Sequence, residues 1–259
     1  MNESHSIRPI FVVGAPRTGT TMLGKFIGSY SSVFDLQEYS AFFFAEEVAK
    51  REYFRVPSPV KDEYLVSLFD HAKSFADKIT RQNSCEFFCD STPWNVLILQ
   101  KLLSHFPSAI FVFSYRSFEA TNQSLKRSRA DGYEWAGSND SDRADLWLRC
   151  LMQIRHLPAD NVIVFNYDML YEDPGKEVKS LVHRLEALGL KKDASSMDTF
   201  CASHATTSGD RPVIGRRSRN GEVTFMPLPP VPAPALDIDS VLKQKLAVVK
   251  DMVLSKASC

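Results

Sequence analysis

The sequence predicts a single α/β domain over residues 1–259, a three-layer sandwich in which helices cover both faces of a central, mostly parallel sheet. Two observations lead to this fold class. Short apolar segments alternate with amphipathic segments at helical spacing, and the links between them are short. The segment 109–113 is apolar without a break, as is typical of a strand at the centre of a parallel sheet.

The individual elements follow from their apolar patterns. Strands are predicted at 10–13, 34–36, 87–89, 109–113 and 161–165. Helices are predicted from Thr20 onward and at 40–54, 61–81, 94–104, 118–128, 142–156, 175–188 and 238–255, with a break at 56–59 between the second and the third. The segment 131–142 is predicted as a polar loop and 203–224 as irregular. Residues 226–237 are predicted as a proline-rich, extended segment before the last helix.

Composition narrows the classes of function. Lysine plus arginine equals aspartate plus glutamate, at 31 each, so no global field favours nucleic acid or a membrane as partner. No apolar run is long enough to span a membrane, and the first strand begins too early to leave room for a signal peptide. Five scattered cysteines indicate free thiols in a reducing cytosol, with disulfides or a metal site as the alternative. We therefore expect a cytoplasmic protein; its oligomeric state is left open.

A glycine-bounded loop follows the first strand, running from Gly14 through Gly19 into a helix that begins at Thr20. This order makes a phosphate cradle, because the loop amides and the helix N-terminus direct their N–H groups at one point. The alternative is an ordinary strand–helix turn in which the glycines serve only steric needs.

The spacing of this loop matches G-x-x-x-x-G-K-[ST], except that Thr20 occupies the lysine position. The nearest cation is Arg17, inside the loop. A magnesium-bound triphosphate needs the missing lysine, which argues against ATP or GTP hydrolysis. An internal cation with the hydroxyls of Thr20 and Thr21 suits one phosphate whose sulfuryl or phosphoryl substituent leaves.

Residues 16–21, P-R-T-G-T-T, resemble the P-[RK]-[ST]-G-[TS]-T loop of the sulfotransferases that use 3′-phosphoadenylyl sulfate (PAPS). The resemblance covers roughly residues 9–45 and 87–185. It implies that PAPS is the donor, released as adenosine 3′,5′-bisphosphate, and that Arg17 stabilises charge on the leaving group. It also implies that the 5′-phosphosulfate is bound by Arg17, Thr18, Gly19, Thr20 and Thr21.

A second phosphate site is expected after the strand at 109–113. Arg116 follows this strand, and Ser124 comes eight residues later on the next helix. The planar guanidinium of arginine binds phosphate oxygens in pairs. The same Arg-x7-Ser spacing holds the 3′-phosphate in the family, which implies this role for Arg116 and Ser124. The alternative for Arg116 is a surface salt bridge.

Two further stretches resemble family motifs. The run at 167–174, Y-D-M-L-Y-E-D-P, is similar to Y-E-D-[LM]-x-x-D-P and departs from it at Asp168 and Met169. It implies that Tyr167 lies near the adenine, although a packed core tyrosine would give the same residue. In the basic stretch 203–222, the family resemblance implies that Arg216 and Arg217 bind the 3′-phosphate; a solvated basic loop is the alternative.

The general base is expected in one of two places. Cytosolic family members carry a K-T-H-type stretch after the third strand, where this chain has Asp90 followed by Ser91, without the lysine or the histidine. Other branches use a glutamate shortly after the first helix, and Glu38 stands there. The resemblance therefore implies Glu38 as the catalytic base, with Asp90 as the other candidate.

Together these patterns predict an enzyme that transfers a sulfuryl group from PAPS to a hydroxyl or amine of a small-molecule, lipid or carbohydrate acceptor. Two alternatives are a P-loop nucleotide-dependent kinase, opposed by Thr20, and an inactive sulfotransferase-like nucleotide-binding module, favoured by Ser91. The acceptor is not identified by the sequence. Aromatic residues at 42–44, 133 and 135 indicate either core packing or an apolar acceptor surface.

Overall fold

A central sheet of five parallel strands organises the chain, for which the computed structural model describes residues 6–50, 58–191, 215–217, 223–225, 236 and 238–257. The strands are β1 (Arg8–Gly14), β2 (Val33–Asp35), β3 (Phe87–Asp90), β4 (Ile110–Tyr115) and β5 (Val162–Asn166). Their spatial order is β2-β3-β1-β4-β5, so β1 lies at the centre. Two further short strands, β6 (Gly215–Arg217) and β7 (Val223–Phe225), pair with each other in antiparallel fashion.

The described helices are α1 (Thr20–Ile27), α2 (Ala41–Lys50), α3 (Ser58–Gln82), α4 (Leu99–His105), α5 (Phe118–Ala130), α6 (Asp140–Leu151), α7 (Pro174–Ala187) and α8 (Ser240–Ala257). Side-chain caps fix three of the described starts; at α8, Asp239 accepts a hydrogen bond of 2.7 Å from the Leu242 amide. Asn139 accepts a hydrogen bond from the Asp142 amide at the start of α6, and Asp173 accepts one from the Lys176 amide at the start of α7. Short 3-10 turns cover Pro93–Ile98, Glu134–Ala136, Met152–His156, Ala159–Asn161 and Tyr167–Tyr171.

Both faces of the sheet are covered. Successive strand residues point to opposite faces, so Phe11 and Phe111 join one buried cluster while Ile10 and Ile110 join another. The first cluster includes residues of α2 to α6 and α8; the second includes residues of α1 and α7. The expected three-layer α/β sandwich is therefore confirmed, with every strand of the central sheet parallel.

The predicted strands agree with the observed ones to within two residues at each end. The helix predicted at 94–104 is divided into a 3-10 turn and α4, because Ile98 adopts a non-helical backbone with φ −123° and ψ 23°. The helix predicted at 142–156 likewise changes to a 3-10 turn after Leu151. Pro59, expected between two helices, lies in the first turn of α3, where a missing N–H leaves no intrahelical bond unmade.

The segment predicted as irregular at 203–224 contains β6 and β7. Its sequence carries Asn220-Gly221 between the two strands, a pairing typical of hairpin turns, and that signal was missed. The predicted polar loop at 131–142 contains a 3-10 turn at Glu134–Ala136 and the start of α6. Residues 226–237, apart from Leu236, lie outside the described residues, so the extent of the domain over 1–259 stays a prediction.

Within the described ranges, no helix combines the length and the apolar character that crossing a membrane would need. The longest described helix, α3, has 25 residues and carries charges along its length, among them Asp70, Lys73 and Asp77. Its apolar contacts are made by one face, on which Phe69, Ala72 and Ala76 are buried against the sheet. Such a helix is amphipathic, with its apolar face packed on the core.

Candidate active site

The parallel arrangement brings the C-terminal ends of all five strands to one edge of the sheet, where ligands bind in open α/β folds. In the registers of neighbouring strands, Gly14 pairs with Ser114, and Tyr115 pairs with Asn166. The loop after β1 therefore lies beside the ends of β4 and β5. On the other side, β3 and β2 end at Asp90 and Asp35.

The loop between β1 and α1 is folded on itself by hydrogen bonds. The amide and the hydroxyl of Thr18 both donate to the carbonyl of Ala15, at 3.2 and 2.7 Å. The Ser114 hydroxyl at the end of β4 donates to the Thr18 carbonyl at 2.6 Å. Thr18 is fully buried, so it shapes the loop, and a contact between its side chain and an anion would require these bonds to change.

Both loop glycines allow close approaches. A Cβ at Gly14 would lie 2.5 Å from the Ser114 carbonyl oxygen. A Cβ at Gly19 would lie 2.5 Å from Cδ2 of Tyr167, and Gly19 also has a left-handed backbone with φ +101°. The ring of Tyr167, predicted near the adenine, therefore packs directly on the loop. Arg17 adopts φ +74°, which is strained for a residue with a side chain.

Arg17 joins the loop to the second predicted phosphate site. Its Nε donates to the hydroxyl of Ser124 on α5 at 3.1 Å, and its carbonyl accepts from Nη1 of Arg116 at 3.3 Å. Residues separated by about a hundred positions in the chain thus form one cluster at the sheet edge. Two guanidinium groups, a hydroxyl and the start of α1 together make a local environment that favours anions.

The guanidinium of Arg116 is held by aromatic residues of the turn after β5. Its Cζ lies 4.7 Å from the ring centroid of Tyr167, and its Nη2 donates to the Tyr171 hydroxyl at 3.0 Å. Its Nε is buried and has no hydrogen-bond partner among the described residues. A buried donor without an acceptor is costly, and a bound anion would remove that cost.

Three residues that sequence reasoning missed hold the turn after β4. The carboxylate of Asp168 accepts from the amide and the hydroxyl of Ser117, at 2.7 and 3.3 Å. Burial raises the pKa of Asp168, and the Ser117 amide and Arg116 oppose that rise. Trp147 donates through Nε1 to the Arg116 carbonyl at 3.0 Å, and Tyr171 contacts the guanidinium as described. Their only sequence signal was their closeness to motif residues or to a strand end.

Glu38 lies in the link between β2 and α2 and is exposed. Its Oε1 accepts a hydrogen bond of 3.0 Å from the hydroxyl of Thr21 in the first turn of α1. The candidate base therefore contacts the first turn of the helix that follows the loop after β1. Its neighbours Gln37 and Ser40 adopt φ +57° and +58°, so the backbone on both sides of Glu38 is strained.

Asp90, the other candidate base, is fully buried at the end of β3. Its carboxylate accepts from the amide and hydroxyl of Thr92, at 2.9 and 2.6 Å, and from the amide of the Asn95 side chain at 2.9 Å. Burial raises its pKa to about 6, although these hydrogen bonds act in the opposite direction. Thr92 in turn accepts from the Ser40 amide at 2.9 Å, so Asp90 supports the segment that carries Glu38.

Ser91, where the family resemblance implies a lysine, is buried as well. Its amide donates to the Gln37 carbonyl at 2.8 Å. Its side chain lies directly against Gly24 of α1, where even a methyl group would collide with it. Position 91 is therefore a packing position.

Arg216 and Arg217 lie in β6, opposite Thr224 and Val223 of β7. The structure describes only their backbone, so their contact with a 3′-phosphate stays a prediction. Across the described residues, no three His, Cys, Asp or Glu side chains are grouped closely enough to hold a metal ion.

The chain was compared with known proteins. The family model described as "Sulfotransferase family" matches residues 9–190. Similar solved structures include the sulfotransferase domain from the Synechococcus PCC 7002 olefin synthase, with TM-score 0.62 and 16% identity over 97% of this chain and 96% of that one. The sulfotransferase domain from the curacin biosynthetic pathway has TM-score 0.52 and 14% identity over 80% of each chain. Sulfotransferase STF9 from Mycobacterium avium has TM-score 0.51 and 13% identity over 95% of this chain and 76% of that one. At such identities the structural likeness establishes the fold; no curated protein matches the sequence.

Proposed function

The chain belongs to the sulfotransferase family, and we propose that it is a PAPS-dependent sulfotransferase that acts on a hydroxyl or amine of a small-molecule, lipid or carbohydrate acceptor. One observation carries this proposal. Arg17 contacts both Ser124 and Arg116, so the phosphosulfate loop and the Arg-x7-Ser pair belong to a single anion-binding cluster.

The residues of this cluster fit the donor. The buried Nε of Arg116 has no hydrogen-bond acceptor among the described residues, and a phosphate oxygen of the donor would provide one. Arg116 and Ser124 would hold the 3′-phosphate, with Arg216 and Arg217 as further proposed ligands. Arg17, the amide of Gly19 and the start of α1 at Thr20 and Thr21 would hold the 5′-phosphosulfate; Tyr167 would flank the adenine.

The chemistry assigns a separate task to each side of the site. The donor supplies a sulfuryl group whose sulfur–oxygen bond to the phosphate breaks as a new bond forms from sulfur to the acceptor oxygen or nitrogen. Glu38 takes the acceptor proton, and Thr21 orients its carboxylate through the 3.0 Å hydrogen bond. Arg17 stabilises the negative charge on the departing phosphate.

A nucleotide-binding module without turnover is the second candidate function. At position 91 this chain has a buried serine where the family pattern has a lysine. The absence of that cation favours a module that binds the nucleotide without turnover. A kinase function is disfavoured, because the buried Thr20 occupies the position of the P-loop lysine and provides no cation for the phosphates.

We also propose a cytoplasmic location. The described cysteines Cys85, Cys89 and Cys150 are free thiols, which is typical of proteins in a reducing compartment.

Calorimetric titration with adenosine 3′,5′-bisphosphate, and separately with magnesium-ATP, tests the donor. We expect tight binding of the bisphosphate and a roughly hundredfold weaker affinity after Arg116→Ala, since charged hydrogen bonds are lost. Arg129→Ala, at an exposed position of α5, the helix that follows Arg116, is the matched control and should bind as the parent does. A preference for magnesium-ATP, or no binding of either nucleotide, would contradict the proposal.

A further inference from the structure

Five aromatic side chains from three parts of the chain form a continuous row. Ring centroids are 6.2 Å apart between the first two, then 6.1, 5.5 and 5.7 Å along the row. The members, in order, are Phe44, Phe43, Trp94, Trp135 and Tyr133. They come from α2, from the turn after β3 and from the segment between α5 and α6. Hereafter we call them the aromatic row.

Core packing accounts for only part of this row: Phe43 and Trp94 are half-buried against the core cluster, whereas the other three members are exposed. Phe42, in the same helix as its first two members, is fully buried and packs on Phe11 and Phe88 of the sheet. In contrast, Phe44 is 61% exposed, Tyr133 54% and Trp135 39%. Contiguous apolar surface of this kind on a soluble protein is a recognised sign of a binding site. The sequence left core packing and acceptor binding open for these aromatics; the structure separates Phe42 from the others.

The row is connected through the backbone to the segment that carries the proposed base. α2 starts three residues after Glu38, and it carries Phe43 and Phe44. Trp94 follows Thr92, whose hydroxyl accepts the Ser40 amide at 2.9 Å. The aromatic row and Glu38 are therefore both attached to the short link between β2 and α2.

We propose that the aromatic row binds the ring system of an acceptor that is an aromatic hydroxyl compound, and that this ring directs its hydroxyl toward Glu38. The inference rests on the proposed sulfotransferase function. Aromatic rings associate with one another by stacking and by edge-to-face contact, and the row offers both geometries. A phenolic hydroxyl releases its proton far more readily than an aliphatic one, which suits a single exposed carboxylate as base.

The transfer would balance as follows. The bond from sulfur to the bridging phosphate oxygen breaks, and a bond from sulfur to the phenolic oxygen forms. The phenolic proton passes to the Glu38 carboxylate. The products are an aryl sulfate and adenosine 3′,5′-bisphosphate.

Binding of 2-naphthol, measured by calorimetry in the presence of adenosine 3′,5′-bisphosphate, tests this inference without requiring turnover. Its saturated analogue decahydro-2-naphthol and the linear 1-decanol serve as comparison ligands. The variants are Trp135→Ala and Tyr133→Ala, both at exposed positions. Tyr64→Ala is the matched control, because Tyr64 is an exposed aromatic of α3 outside the row.

We expect 2-naphthol to bind best, and each row variant to weaken its affinity about tenfold while the bisphosphate affinity stays unchanged. The unchanged bisphosphate affinity also demonstrates that the variants fold. Normal bisphosphate binding with equal or tighter binding of decahydro-2-naphthol or 1-decanol, or with no effect of either row variant, would overturn the inference and leave the proposed function standing. Failure of the parent protein to bind the bisphosphate would instead remove both.

Discussion

The two sides of the site are built in different ways. The donor side, at the ends of β1, β4 and β5, is held by backbone and side-chain hydrogen bonds between distant residues, such as Ser114 to Thr18 and Arg116 to Arg17. The proposed acceptor side, at the ends of β2 and β3, consists of a short strained link that carries Glu38 and of the aromatic row, three of whose five side chains are exposed. A nucleotide common to a family calls for the same loop in each member. Where the acceptor differs between members of a family, the residues that surround it can differ as well.

Backbone strain marks both sides. Of the four non-glycine residues with positive φ in the described part of the chain, Arg17, Gln37 and Ser40 lie at this edge, and only Ser84 lies elsewhere. Such strain persists where the surrounding structure imposes it, and it is concentrated at functional sites. The two sides therefore share a strained backbone although their chemistry differs. Four substitutions test whether they act separately.

Glu38→Gln should have the largest effect. We expect kcat to fall about a thousandfold, because the amide cannot accept the acceptor proton, while the affinity for adenosine 3′,5′-bisphosphate changes less than twofold. Steady-state rates and calorimetry measure the two quantities, and Glu63→Gln, at an exposed position of α3, is the control. A parallel loss of nucleotide affinity would mean that the two sides are not separable.

Gly19→Ala should affect the donor side alone. Its new methyl group would lie 2.5 Å from the Tyr167 ring at a backbone φ of +101°, so the loop or the ring must move. We expect the bisphosphate affinity to fall by roughly a hundredfold.

Gly132→Ala is the matched control for that substitution. Gly132 has φ +95° but no atom within 4 Å of the added carbon, so it carries the conformational cost without the collision. Equal effects of the two substitutions on bisphosphate affinity would contradict the role that we assign to the contact with Tyr167.

Asp90→Asn tests the support beneath the acceptor side. Burial raises the pKa of Asp90 to about 6, so between about pH 4 and pH 6 the folded protein keeps a proton that the unfolded chain has released. The free energy of unfolding contributed by Asp90 therefore falls as pH rises through this window. In urea denaturation, the free energy of unfolding of the parent should fall by about 2 kcal/mol relative to that of Asp90→Asn between pH 4 and pH 7. Stability curves that stay parallel over this range would refute the raised pKa.

Tyr171→Phe should have the smallest effect. It removes the hydroxyl that accepts the 3.0 Å hydrogen bond from Arg116 and leaves the ring in place. We expect a three- to fivefold weaker affinity for adenosine 3′,5′-bisphosphate. Binding of adenosine 5′-phosphate, which lacks the 3′-phosphate, should not change. A similar loss for both nucleotides would indicate that Tyr171 supports the fold and does not position Arg116.

The sequence was most informative where a local pattern determines the structure. Apolar runs predicted the five strands, and the glycine spacing at 14–19 predicted the loop between β1 and α1. Arg116 and Ser124 were identified because their spacing follows a strand end, and the structure brings both to Arg17.

What the sequence did not predict depends on contacts between distant segments. The burial of Asp90 and its bonds to Thr92 and Asn95 follow from the packing of β3 against its neighbours. Tyr171 and Trp147 reach Arg116 only after the sheet has formed. The role of Trp94 as the link between Phe43 and Trp135 likewise exists only in three dimensions.

The contact between Ser91 and Gly24 limits which substitutions position 91 can accept. Because the serine lies directly on the glycine of α1, a longer side chain at position 91 would press against the helix that starts at the phosphosulfate loop. A lysine could therefore not be introduced there by one substitution without moving α1. Evolution toward faster turnover, or directed selection in the laboratory, is expected to find its first gains at other positions around Arg17.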